Sequence, residues 1–96
     1  MRRAAKVDAN QSEIVQALRS VGATVTSLAA VGGGVPDLLV GYRRVNHLLE
    51  VKRETIQPVE KLLTPDQEEF HKFWRGWLEI VTNADQAIEL ITRRAA

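Results

Sequence analysis

Gly34-Val35-Pro36-Asp37-Leu38-Leu39-Val40-Gly41, followed after a short turn by Leu48-Leu49-Glu50-Val51-Lys52, sets three charged residues into apolar strand sequence. Asp37, Glu50 and Lys52 stand where a small domain would normally place Val or Ile. An unpaired carboxylate or ammonium is costly to bury, so such groups persist in strands when they are paired, metal-bound or partly wet. Residues two apart on a strand point to the same face, about 6–7 Å apart. Glu50 and Lys52 therefore share one face, and Leu49 and Val51 the other. With Tyr42 opposite His47 beside the turn, Asp37 faces Lys52 and Leu39 faces Glu50. All four then lie on one face, with the two carboxylates on diagonal positions. A one-residue slip or a bulge would turn Asp37 to the wrong side.

Two carboxylates and a lysine on one face suit a hard divalent cation. Mg²⁺ prefers oxygen ligands, usually takes one or two protein carboxylates and keeps several waters. Such an ion lowers the pKa of a water and neutralises charge on a phosphodiester. A nearby ammonium can orient that water or stabilise the phosphorane. Residue types alone leave a plainer reading equally open: a cross-strand salt bridge of Asp37 with Lys52, with Glu50 in solvent.

The rest of the chain sets the frame for these residues. Ninety-six residues make a single domain, 1–96, with a modest core. An apolar fraction of 45% and a charged fraction of 26% belong to an ordinary soluble domain. The absence of cysteine excludes disulfides and thiolate zinc sites. His47 and His71 are too few and too far apart in sequence to suggest a histidine-based zinc site. No apolar run approaches the roughly 18 residues of a membrane span, and no signal-peptide core follows Met1-Arg2-Arg3. A soluble, cytoplasmic protein is the expectation. The net charge of +1 is not that of a protein that coats DNA. Basic residues nevertheless cluster: Arg2, Arg3 and Lys6, then Arg43-Arg44, Lys52-Arg53 and Arg93-Arg94. A basic rim around an acidic site is compatible with a DNA substrate, although any one cluster is more often a solvated face.

Taken in order, residues 1–7 read as a basic tail, and Asp8 or Asn10 caps a helix running to about Ser20. At about 100° per residue, Ile14, Ala17, Leu18 and Val21 form its core stripe, with Glu13 at the edge. Gly22 ends the helix, and Ala23–Leu28 reads as the first strand. Gly32-Gly33-Gly34 lacks the spacing of a phosphate-binding loop and precedes a strand, not a helix. It reads as a mobile loop beside the site, whose bare backbone at Gly33 and Gly34 can approach a DNA phosphate, or as a flexible connection. Pro36 opens the second strand; Arg43-Arg44-Val45-Asn46 makes the turn; His47 to Lys52 is the third strand. His47, at the turn, is read as structural or exposed. Residues 53–63 form an irregular loop, which leaves the third strand where it can follow DNA and stays disordered without it. Thr64, Pro65 and Gln67 make a capping box. Phe70, Phe73, Trp74 and Trp77 then share an arc, read as core packing with part in a dimer interface. Leu78–Thr82 is a strand, and Asn83-Ala84-Asp85-Gln86 opens a last helix with a second capping box, Ala87, Leu90 and Ile91 facing inward. The predicted fold is α/β in the order αβββαβα: a central mixed four-stranded sheet flanked by helices, the third and fourth strands parallel through a right-handed crossover.

Pro36-Asp37, then a strand and turn, then Glu50-Val51-Lys52 resembles the signature of the PD-(D/E)XK nuclease superfamily. Gly34-Val35-Pro36-Asp37-Leu38, Glu50-Val51-Lys52 and Leu63-Thr64-Pro65-Asp66-Gln67, in that order, resemble the VRR-NUC domain family of phages, bacteria and larger DNA-repair enzymes. The similarity runs from the first helix to the last strand. It implies a restriction-endonuclease-like core and a Mg²⁺- or Mn²⁺-dependent endonuclease. Asp37 and Glu50 would bind metal with the backbone carbonyl of Val51. Glu13 matches a first-helix acid that often reaches the metal in the superfamily. Lys52 would position or activate water, and Gln67 would orient water or substrate. Arg43, Arg44, Arg53 and Lys61 are the side chains placed to contact DNA. Stand-alone members of this family resemble nucleases that act on branched DNA such as Holliday junctions. Two symmetric cuts imply a homodimer, with neither a membrane nor a nucleotide cofactor involved. A reading from another class is a non-catalytic DNA-binding module, or a subunit of a larger complex. The modest net charge allows it, but a pure binder gains nothing from two carboxylates facing phosphate. A small interaction protein with a cross-strand salt bridge is a third reading, and it predicts no DNA binding.

Overall fold

The hairpin at the centre of the chain closes through two residues, not four. In the computed structural model, which describes residues 4–95, β2 (Leu38–Tyr42) and β3 (Val45–Val51) are joined by Arg43 and Arg44 alone. Both have positive φ, 51° and 70°. That is the backbone of a type I′ loop, whose twist matches the flanking strands. Tyr42 therefore pairs with Val45 and Leu38 with Leu49, which corrects the expected Tyr42–His47 pairing. The shift is two residues, so every side chain keeps its face, but the partners change. Leu39 opposes Leu48, and one step further along the same register Asp37 comes opposite Glu50 instead of Lys52.

β1 (Thr24–Ser27) pairs antiparallel with β2, and β4 (Leu78–Val81) pairs parallel with β3, so the sheet runs β1-β2-β3-β4. Around it lie α1 (Ala4–Ser20), a 3₁₀ turn (Val59–Leu62), α2 (Pro65–Phe73) and α3 (Ala84–Arg94). The chain is thus an α/β protein with a mixed four-stranded sheet and helices in the expected order. No helix among the described residues is long and apolar enough to cross a membrane.

Alternation along the strands divides the molecule. Val25, Leu38, Val40, Leu49, Val51 and Val81 face one side and form a single core with Ile14, Leu18, Ala87, Leu90 and Ile91. α1 packs on α3 and β1, and α3 on β4. Full burial of each Leu or Ile is worth about 1.5–3 kcal/mol, so this side holds the fold together. His47 is buried on the same side, at 1% exposure. It sits among strand residues, not at an exposed turn. Val21 lies past the end of α1 and is exposed, so the core stripe is shorter than its spacing suggested.

α1 starts at Ala4, so Asp8 and Asn10 lie inside the helix and do not cap it. Of the expected 1–7 tail, residues 1–3, with Arg2 and Arg3, lie outside the described residues. Asn10 has another use. Its side-chain amide donates to the carbonyls of Lys52 (3.1 Å) and Thr82 (3.2 Å), tying α1 to the C-terminal ends of β3 and β4.

α2 departs most from expectation. Its capping box is present: Thr64 Oγ1 accepts from Gln67 N, and Gln67 Oε1 accepts from Thr64 N. The helix stops at Phe73, and Trp74 is already extended, with φ −71° and ψ 135°. The four-residue aromatic arc is therefore broken. α2 buries no residue fully, and Phe73, Trp74 and Trp77 are 59%, 46% and 52% exposed. The core-packing expectation fails because α1 and α3 already fill the apolar side of the sheet. α2 meets the other side, where β3 presents Glu50 and Lys52. Trp77 lies beneath the Arg94 guanidinium, 3.9 Å from its ring centre. The second capping box is closed one residue upstream: Asn83 Oδ1 accepts from Gln86 N, but Gln86 Oε1 accepts from Thr82 N and Oγ1.

Candidate active site

The site is built at the C-terminal end of β3, on the face away from the core. Buried Pro36 delivers the chain to Asp37, one residue before β2. The Asp37 carbonyl accepts from Leu28 N (2.8 Å), extending the β1–β2 ladder. Its Oδ2 accepts from Val51 N (2.7 Å), so the carboxylate also closes the end of the β2–β3 ladder. Two backbone tethers thus fix Asp37 opposite Glu50.

Glu50 is 1% exposed. Its Oε2 lies 3.3 Å from Gln67 Nε2, which donates to it, and 3.9 Å from Lys52 Nζ. Lys52 Nζ in turn donates to Gln67 Oε1 (2.8 Å). One amide side chain therefore caps α2 and holds both Glu50, in β3, and Lys52, just past its end. Asp37, Glu50, Lys52 and Gln67, from the segment before β2, the end of β3 and α2, lie in one cluster. The simple Asp37–Lys52 salt bridge does not form, because the hairpin register gives Asp37 a different partner.

His71 belongs to the same cluster and had not been assigned to it. Its Nε2 lies 3.6 Å from Glu50 Oε1. The available signal was its position four residues after Gln67 on a helix, which puts both side chains on one face.

Electrostatics follow from burial. Desolvation first, then the Asp37 charge and a side-chain hydrogen bond with Asp37, push the Glu50 carboxyl up to about 8, against the opposing pull of Lys52. At neutral pH Glu50 is therefore largely protonated. Burial, then the Lys52 charge, lower the His71 pKa, so its imidazole is neutral there. Glu50 Oε1 and His71 Nε2 are both buried without a hydrogen-bond partner. Two opposed carboxyls, one with an unpartnered oxygen, fit a divalent cation, which would take the place of the Glu50 proton. Among the described residues no three His, Cys, Asp or Glu side chains gather around one point.

The other predicted site residues lie elsewhere. Glu13 is exposed on α1 and does not join Asp37 and Glu50 in a ligand group; α1 covers the opposite face of the sheet. Gly34 has φ +82° and lies against the Asp66 backbone so closely that any Cβ would collide with it. Its bare backbone serves the docking of α2. Gly33 borders a cleft with Asp66, Glu69, Phe70, Phe73 and Trp74. Arg43 and Arg44 are exposed at the hairpin tip, about 20 Å along the strand from Asp37. Arg53 is exposed directly after Lys52, and Lys61 is exposed in the 3₁₀ turn. The 53–63 loop is ordered in part by Asn83 Nδ2, which donates to Glu54 Oε2 (2.8 Å).

Comparison of the chain with family models, characterised proteins and solved structures finds no significant match.

Proposed function

We propose that the protein is a Mg²⁺- or Mn²⁺-dependent endodeoxyribonuclease of the VRR-NUC type, acting as a homodimer on branched DNA such as Holliday junctions. The observation that carries this reading is the meeting of Asp37, Glu50, Lys52 and Gln67 in one small polar cluster at the end of β3. The fold alone would support many functions; these four side chains narrow it. Asp37, Glu50 and the Val51 carbonyl are the groups to hold a divalent ion, which when bound acidifies water and offsets phosphodiester charge. Lys52, steadied by Gln67, directs its ammonium toward the incoming phosphate and stabilises the negative charge that grows there. Arg53, next to Lys52, and Lys61 are exposed and suit the DNA backbone; Arg43 and Arg44 would meet a duplex arm farther off.

A dimer is supported by α2. Phe73 and Trp74, at the end of α2, are large, apolar and about half exposed, the kind of surface that a partner covers. The test is cleavage of end-labelled four-way junction and matched linear duplex with Mg²⁺, Mn²⁺ or EDTA. Paired symmetric nicks in the junction alone are the expected result. Cutting of both substrates would keep the nuclease and remove the junction preference. Metal-independent DNA binding without cutting would establish the non-catalytic module instead.

A further inference from the structure

Glu50 has two oxygens in different surroundings. Oε2 is engaged by Gln67 and lies near Lys52. Oε1 lies 3.6 Å from His71 Nε2. That separation is beyond hydrogen-bond range, yet both atoms are buried and neither accepts or donates a hydrogen bond. Buried polar atoms are nearly always satisfied, and an orphan asks for an ion or water that completes it. Here two orphans face each other, an oxygen and a ring nitrogen, from a strand and a helix remote in sequence. An ion with bonds of about 2.1 Å sets neighbouring donors roughly 3.0–3.4 Å apart. A gap of 3.6 Å is close to that and needs only a small side-chain adjustment. Lys52 does not compete for the position, because Gln67 Oε1 holds its ammonium.

We propose that His71 is a metal ligand of this protein: its Nε2 and Glu50 Oε1 together take a divalent cation, giving an otherwise oxygen-lined site one imidazole donor. This rests on the metal-dependent reading above but goes beyond its carboxylate-and-carbonyl ligand set. The chemical consequence is selectivity. Oxygen donors suit Mg²⁺ and Mn²⁺ alike, whereas an imidazole favours Mn²⁺ and the later transition metals. The site should prefer Mn²⁺, Co²⁺ or Ni²⁺ to Mg²⁺.

The experiment is pulsed EPR of Mn²⁺ bound to the full chain labelled with ¹⁵N-histidine, in the wild type and in His71→Gln, with the fold of each checked by circular dichroism. The chain has two histidines, and His47 is buried on the opposite face, so an imidazole coupling is assignable. The expected result is ¹⁵N coupling in the wild type, its loss in His71→Gln, and a fall in Mn²⁺ affinity of at least about tenfold, with a smaller fall for Mg²⁺. In the wild type alone, Mn²⁺ should broaden the His71 ring protons in NMR spectra before those of His47, a measurement that needs no variant. Mn²⁺ binding that depends on Glu50 but shows no histidine coupling would overturn this inference and leave the nuclease reading standing. Coupling that survives in His71→Gln would overturn it as well. Failure of the wild type to bind Mn²⁺ at all would overturn both.

Discussion

Glu50→Gln should make the metal-free protein more stable at alkaline pH while destroying its proposed function. The substitution keeps the side-chain shape and removes a carboxyl whose ionisation the fold resists. In the folded chain that carboxyl titrates at about 8, against 4.5 for the free group. The folded state therefore holds more protons than the unfolded state between these values, so stability falls as pH rises through the window. At about 1.4 kcal/mol per pH unit, the loss is on the order of 4–5 kcal/mol by pH 9. That is a large share of the roughly 5–15 kcal/mol typical of a domain. Glutamine does not ionise and has no such slope. The assay is urea unfolding followed by the fluorescence of Trp74 and Trp77 at pH 5, 7 and 9, in EDTA. Wild type and Glu50→Gln should be similar at pH 5. At pH 9 the variant should be ahead by a few kcal/mol, or at least about 1 M urea in midpoint. Saturating Mg²⁺ or Mn²⁺ should restore the wild type, by about 3 kcal/mol at one hundred times Kd, and leave the variant unmoved. Asp37→Asn should make the wild-type slope shallower, because Asp37 is the next contributor after burial. Parallel pH profiles for wild type and Glu50→Gln would refute the reasoning, since the pH dependence would then come from other groups.

Lys52→Ala should lower the cleavage rate about a hundredfold or more while Mn²⁺ still binds; cleavage and metal titration on the same sample check this. Gly34→Ala should cost at least about 1–3 kcal/mol, since the new Cβ meets the Asp66 backbone at a positive φ. It should weaken cleavage through displacement of α2, read by thermal melting beside activity. Replacing Arg43→Asn with Arg44→Gly should stabilise the hairpin by about 1–2 kcal/mol, because two β-carbons leave the left-handed region. The same change should weaken DNA binding if the tip touches a duplex arm. Phe73→Ser with Trp74→Ser should leave the monomer folded, because neither side chain is in the core, and should shift sedimentation toward the monomer.

The strand faces were legible because alternation is local. Val40 and Leu49 face inward, and Glu50 and Lys52 outward, whichever register the hairpin takes in steps of two. The Thr64 cap was equally legible, since its partner is three residues away. The aromatic run misled because amphipathic spacing shows that a face is apolar without showing what covers it. α2 ended at Phe73 and met the polar side of the sheet. Asn10 looked like a helix cap; it became a tether for Lys52 and Thr82 only because α1 began six residues earlier and crossed their strand ends.

The sequence by itself determined the α/β order, the two faces of the sheet, and the placement of Asp37, Glu50 and Lys52 on one of them. These follow from short-range periodicity and from the cost of burying charge. Only the tertiary structure decided that Asp37 opposes Glu50, that Gln67 holds both Glu50 and Lys52, and that His71 completes the cluster. Those contacts depend on the handedness of a two-residue turn and on where a helix lands after a long loop, and both are set by non-local packing.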